Sequence, residues 1–216
     1  MIRNIIFDFD GVLLESVEVK TRAFRQLFGG EPPEQVSKII AYHLRNGGIS
    51  RFEKFRTIYR DILERPLAES EFQRLCDRFA ECVEDEVVAS PWVPGAKEFL
   101  DAQRGKYRFF VVSGTPDAEI KNIVKRKHLG DYFVEVLGSP RNKAELLQDL
   151  AERHALVKSE MLYVGDSVND WRAAQAFGIG FIWRRPSDAL ETLPDFLGPM
   201  IPSLLQLEEA LQTCRA

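Results

Sequence analysis

Residues 5–16 read IIFDFDGVLLES, an apolar run that ends in two acids, Asp8 and Asp10, and breaks at a glycine. Such a run without polar alternation is the texture of a strand buried on both faces, as in a parallel sheet. Residues 161–170, MLYVGDSVND, repeat the arrangement with Asp166 and Asp170. Both acid pairs are expected at the carboxyl ends of neighbouring parallel strands, where open α/β sheets bind their ligands. Carboxylates gathered there repel one another strongly unless something positive lies between them. A hard divalent cation is the usual remedy, and Mg²⁺ held by one or two carboxylates plus a substrate phosphate is its common form. The pattern points to a chain that handles phosphate.

Outward from these motifs, the texture changes between Val17 and Val88. Apolar residues recur at helical spacing through Phe24-Leu27-Phe28, Phe52-Phe55-Ile58-Tyr59-Ile62 and Phe72-Leu75-Phe79-Val83, with no strand-like run among them. Ser50 and Glu53 form a capping-box pattern just after the Gly47-Gly48 turn. This block predicts a helical insert of roughly four helices. After Pro91-Trp92-Val93-Pro94-Gly95, strands are expected at 108–113, 133–137, 161–165, 179–183 and, briefly, 197–201. Helices are expected at 95–104, 117–127, 142–154, 169–177 and 203–213. One strand, a helical insertion and then βα alternation predict an α/β fold: a doubly wound, Rossmann-like parallel sheet with an inserted helical cap. The expected domains are a core of 1–14 and 90–216 and a cap of 15–89.

Composition narrows the function classes. Of 216 residues, 45% are hydrophobic and 29% charged, and the net charge of −4 provides no basic field for nucleic acid or an anionic membrane. Cys76, Cys82 and Cys214 are odd in number and form no C-x-x-C pair, against both a disulfide framework and a zinc site. MIRNIIFDFD is too short and too acidic for a signal peptide, and no stretch reaches transmembrane length. A reduced, cytoplasmic location is expected, as a monomer or homodimer.

DFDGV at the first strand end, VVSGT at the second, a lysine at 143 and GDSVND at a later strand together resemble the four motifs of the haloacid dehalogenase superfamily. The insert directly after the first motif is similar to the helical-cap branch that contains phosphoglycolate phosphatases and β-phosphoglucomutases. The resemblance spans essentially the whole chain and implies a Mg²⁺-dependent phosphatase acting on a small phosphorylated metabolite. It implies Asp8 as the nucleophile that forms an aspartyl-phosphate, and Asp10 as the acid and then base. Asp10 would need a raised pKa, which neighbouring acids would provide. Ser113 and Lys143 would bind the transferring phosphoryl group, with backbone N–H groups of Gly114 and Thr115 adding donors from a turn into the next helix; Arg141 is the rival cation to Lys143. Asp166, Asp8 and the Asp10 carbonyl would ligate the metal, with Asp170 orienting a water or Lys143.

The cap would read the rest of the substrate. Its candidates are His43, Arg45, Ser50, Arg51 and Lys54, with Arg51 and Lys54 sharing a helix face, and such a basic cluster suits a leaving group with its own carboxylate or a polyhydroxylated sugar. Glu15 stands where many relatives carry aspartate, which bears on linker geometry. A phosphomutase is the rival reading, and a catalytically silent binding module is a third.

Overall fold

The computed structural model describes residues 1–186, 193 and 196–213; Pro194 and Cys214 lie outside the described residues. Its strands are β1 (Asn4–Phe7), β2 (Arg108–Pro116), β3 (Phe133–Ser139), β4 (Met161–Gly165), β5 (Gly180–Arg184) and β6 (Met200–Ile201). They form one six-stranded sheet in the order β3-β2-β1-β4-β5-β6, every pairing parallel. Successive strand residues face opposite sides. Ile5, Phe7, Phe109 and Val111 join one apolar cluster, while Ile6, Phe110, Val112 and Tyr163 join the other.

Helices α5 (Ala96–Gln103), α6 (Asp117–Arg126) and α9 (Leu207–Thr213) cover the first face, and α7 (Lys143–Arg153) and α8 (Val168–Phe177) the second. The inserted segment holds α1 (Val17–Leu27), α2 (Pro33–Arg45), α3 (Arg51–Thr57), which runs on into a π-helical turn at Ile58–Ile62, and α4 (Glu69–Ala89). Phe24, Phe28, Phe55 and Phe79 interlock at its centre, with ring centroids 5.0–6.3 Å apart. Each ring buried there contributes about 1.5–3 kcal/mol of transfer free energy. The two segments that join insert and sheet run side by side: Val93 N–H donates to the Leu13 carbonyl at 3.0 Å, and Glu15 N–H to that of Pro91 at 2.9 Å.

The elements agree with expectation in type and order, with differences at their ends. β2 continues through Ser113-Gly114-Thr115 to Pro116, and α6 begins at Asp117, so Ser-Gly-Thr is the frayed end of a strand and not the expected turn into a helix. Beyond Val112 its register with β3 shifts, which frees these residues from the ladder. The last strand is confined to Met200–Ile201 among the described residues, and 204–206 is a 3₁₀ turn ahead of α9. Among the described residues no helix is long and apolar enough to cross a membrane.

Candidate active site

The parallel register sets Phe7 beside both Val111 and Val164. The next residues of the three strands therefore emerge together where the sheet order reverses, the position at which ligands bind such sheets. Asp8 N–H bonds the Val164 carbonyl at 2.9 Å, and Trp183 Nε1–H bonds the Asp166 carbonyl at 3.0 Å, so backbone geometry fixes both acids. Carboxylate oxygens of Asp8, Asp166 and Asp170 all lie within 4.8 Å of one another. This is near the roughly 4.2 Å that separates opposite oxygens on one Mg²⁺, and an all-oxygen donor set is what a hard cation prefers. The three residues fit that ion.

Lys143 is the one cation in ion-pair contact with this trio among the described residues, with Nζ 3.0 Å from Asp8 and 2.5 Å from Asp170. It starts α7, behind an Asn142/Glu145 capping box that sets where the helix begins. Burial works against its charge, but the carboxylates of Asp170 and Asp8 outweigh it and hold the ammonium well above the ordinary lysine range. Asp170 is itself engaged on every side. Ser167 N–H and Oγ–H donate to Oδ2 at 3.0 and 2.6 Å, and Tyr163 Oη lies 2.8 Å from Oδ1. Arg141, the rival cation, is exposed and pairs with Asp149.

Three acids, Asp8 and Asp170 buried and Asp166 half-buried, against one lysine leave excess negative charge. Burial pushes Asp8 up to about 7, with Lys143 opposing and Asp170 and Asp10 adding to the rise. Asp166 is driven well above the carboxylate range by burial, Asp8 and Asp170. An acid whose pKa is higher folded than unfolded favours the folded state at low pH, and that advantage is lost as pH climbs from about 4 towards the folded value. Metal-free protein is therefore expected to melt at a lower temperature at pH 8 than at pH 5, and Mg²⁺ to raise the melting temperature mainly at pH 8. A flat profile in EDTA, or Mg²⁺ stabilisation equal at both pH values, would contradict the charge balance described.

Asp10 departs from expectation in its charge state. Its side chain turns from the acidic trio towards α1, accepting bonds from Ser16 Oγ at 2.6 Å, Thr115 Oγ1 at 3.1 Å and the Lys20 ammonium. It is thus no side-chain member of the metal group. Its pKa is lowered instead of raised: burial pushes it up, but Lys20 and these hydrogen bonds more than offset that. The Ser113 hydroxyl is buried and accepts the Thr115 N–H at 3.1 Å, so that N–H already has a partner and is not the free phosphate donor expected.

Above the acids is a cavity of about 80 Å³, whose walls include Asp8, Asp10, Asp166, Gly114 and Thr115 below and Lys20, His43, Arg51 and Lys54 from the insert. The Gly47-Gly48 turn closes over it. Asn169 Nδ2–H bonds the Gly47 carbonyl at 2.7 Å, and a Cβ at Gly114 would stand 2.4 Å from the Gly48 carbonyl oxygen. Gly48, at φ +74°, would set its own Cβ 2.6 Å from Ser167 Oγ. Only glycines permit so close a contact of turn and site. Arg51 is buried, ion-paired with Glu119 on α6 and 4.4 Å above the Phe79 ring. Arg45 does not join the group: it is exposed near the end of α2 and does not line the cavity.

A family model described as haloacid dehalogenase-like hydrolase matches residues 2–178. The chain belongs to that family. It is a hydrolytic enzyme, and its curated relatives are phosphatases. It is 29% identical to a phosphoglycolate phosphatase of Vibrio vulnificus, over 95% of this chain and 96% of that one. To a phosphoglycolate phosphatase of Photobacterium profundum it is 31% identical, over 81% of this chain and 80% of the relative. Among solved structures it resembles the hydrolase YfnB of Bacillus subtilis, determined bound to magnesium, at a TM-score of 0.70 and 18% identity over 98% and 99% of the two chains. At that identity the likeness speaks for the fold.

Several residues of the site escaped the sequence reading. Lys20 interrupts the apolar stripe Val17–Phe24 of α1, which was the available signal. Tyr163 looked like ordinary strand filling. Glu15 ion-pairs with the buried Arg184, which also donates to the Gly11 carbonyl at 3.0 Å, so the longer acid ties the linker to the end of β5.

Proposed function

We propose that this enzyme is a Mg²⁺-dependent phosphatase that hydrolyses a small phosphorylated metabolite of the phosphoglycolate type through an aspartyl-phosphate on Asp8. The observation that carries the reading is Asp8 itself: a buried carboxylate at the floor of a cavity, paired with Lys143 and grouped with Asp166 and Asp170.

Asp8 and Asp166 would hold the metal, with Asp170 keeping Lys143 in place. When bound, Mg²⁺ supplies positive charge that lets an anionic carboxylate meet an anionic phosphoryl group. An Asp8 oxygen attacks phosphorus, and the bond from phosphorus to the leaving oxygen breaks. Lys143 and the Ser113 hydroxyl stabilise the transferring oxygens. The leaving oxygen takes a proton from the Asp10–Lys20 pair, which together carries the proton that an ionised Asp10 alone lacks. Water then gives one of its protons to the pair as it attacks phosphorus, freeing phosphate and Asp8. Residues 15–89 act as a lid on the core formed by 1–14 and 90–216, hinged at the paired linkers and latched by Arg51 on Glu119. Free Cys76 and Cys82 agree with a reducing, cytoplasmic setting.

A Mg²⁺-supported phosphate-release screen over phosphoglycolate, hexose phosphates and nucleotides is expected to single out the shortest esters, with EDTA abolishing release. Preference for hexose phosphates, or isomerised sugar in place of free phosphate, would overturn the reading.

A further inference from the structure

Lys54 is a buried amine whose hydrogen bonds are all to neutral groups, and burial, with Lys20 nearby, lowers its pKa to about 7. Its ammonium donates to His43 Nδ1 at 3.0 Å and to the His43 carbonyl at 3.3 Å, and no carboxylate pairs with it among the described residues. The other insert cations on the same cavity are already balanced, Lys20 by Asp10 and Arg51 by Glu119. An amine buried without a counter-ion gives up much of its charge, and an anion that enters the cavity restores that charge by pairing with it.

The neighbours of Lys54 hold it in this state. Thr21 Oγ–H donates to the Val17 carbonyl at 3.1 Å, one helical turn back, so its oxygen is left to accept from His43 Nε2 at 3.3 Å. The imidazole proton is then on Nε2, and Nδ1 offers its lone pair to the Lys54 ammonium. Stacking on Phe24, with centroids 4.3 Å apart, fixes the ring. Burial and the charges of Lys54 and Lys20 push His43 down to about 2, which keeps it a neutral acceptor throughout the working range.

We infer that Lys54, set in place by the Thr21–His43 relay, binds a carboxylate on the leaving group and selects short phosphorylated hydroxy acids over neutral phosphate esters of the same length. The inference rests on the phosphatase reading and deepens it. The cavity walls agree: among the described residues that line it, the insert contributes no carboxylate to oppose an incoming anion, and Val17, Phe24, Ile49 and Phe79 are apolar. Thr21 and His43 are positioning residues, since they act through Lys54.

The test compares KM for 2-phosphoglycolate and 2-hydroxyethyl phosphate with Mg²⁺ present. Wild type is expected to favour the carboxylate ester by about 10–100-fold in KM, the range of one charge-assisted bond. Lys54→Met should bring the KM ratio close to one. Thr21→Val, nearly isosteric, should lower the ratio several-fold while kcat on phosphoglycolate holds, and Thr21→Ser should restore it. A wild-type ratio near one, equal KM losses on both esters in Lys54→Met, or Val and Ser variants that behave alike would overturn the inference and leave the phosphatase reading standing. Wild type that releases phosphate from neither ester would strike down that reading, and this inference with it.

Discussion

Asp8→Asn is expected to lower phosphate release by about four orders of magnitude or more, the usual scale for loss of a covalent nucleophile. Asparagine keeps the shape of the side chain and the backbone bond to Val164, so the fold should remain intact. The same substitution removes a charge from a crowded group. Asp8 raises the pKa of Asp166 and shares Lys143 with Asp170, so the uncharged variant should melt higher than wild type in EDTA at pH 8. Inactivity with raised metal-free stability is a pairing that a merely structural residue would not give. Retained hydrolysis, or a variant that unfolds, would refute the role given to Asp8.

Lys143→Ala should be the other severe substitution, and for a different reason. It leaves Asp8 and Asp170 buried without their cation, and breaking a buried pair by deleting one partner costs about 3–5 kcal/mol. In a chain of this size that lowers the melting temperature by roughly 6–20 °C. Lys143→Arg should not rescue activity, because a planar fork cannot replace a compact ammonium wedged between two fixed carboxylates. Adding Asp170→Asn to Lys143→Ala should recover part of the lost stability by removing one stranded charge, without recovering activity. Urea denaturation of the single and double variants measures both effects, and a Lys143→Ala protein as stable as wild type would contradict the electrostatic balance drawn here.

Apolar patterning carried most of the fold. Unbroken runs such as Ile5-Ile6-Phe7 and Leu162-Tyr163-Val164 can only be satisfied in a sheet covered on both faces, and glycines after them mark where the chain turns towards ligand. That logic placed Asp8 and Asp166 at the same end of two neighbouring strands. It could not place side chains whose orientation depends on a partner in another element. Asp10 faces away from Asp8 because Lys20 and Thr115 draw it towards α1, and Arg51 is neutralised by Glu119, far along the chain on α6. Arg45 and Lys54 looked alike as cap cations, yet helical phase exposes one and buries the other. Periodicity reports which face a residue occupies, while charge pairing across elements needs the packed structure.

Acid quenching during turnover of 2-phosphoglycolate in Mg²⁺, followed by mass spectrometry of the peptide that spans residues 4–20, reads out whether Asp8 carries the phosphoryl group. One phosphoryl group is expected on Asp8, labile to mild base and absent in Asp8→Asn. Turnover with no phosphorylated peptide at any quench time, or a phosphoryl group on another residue, would contradict that expectation.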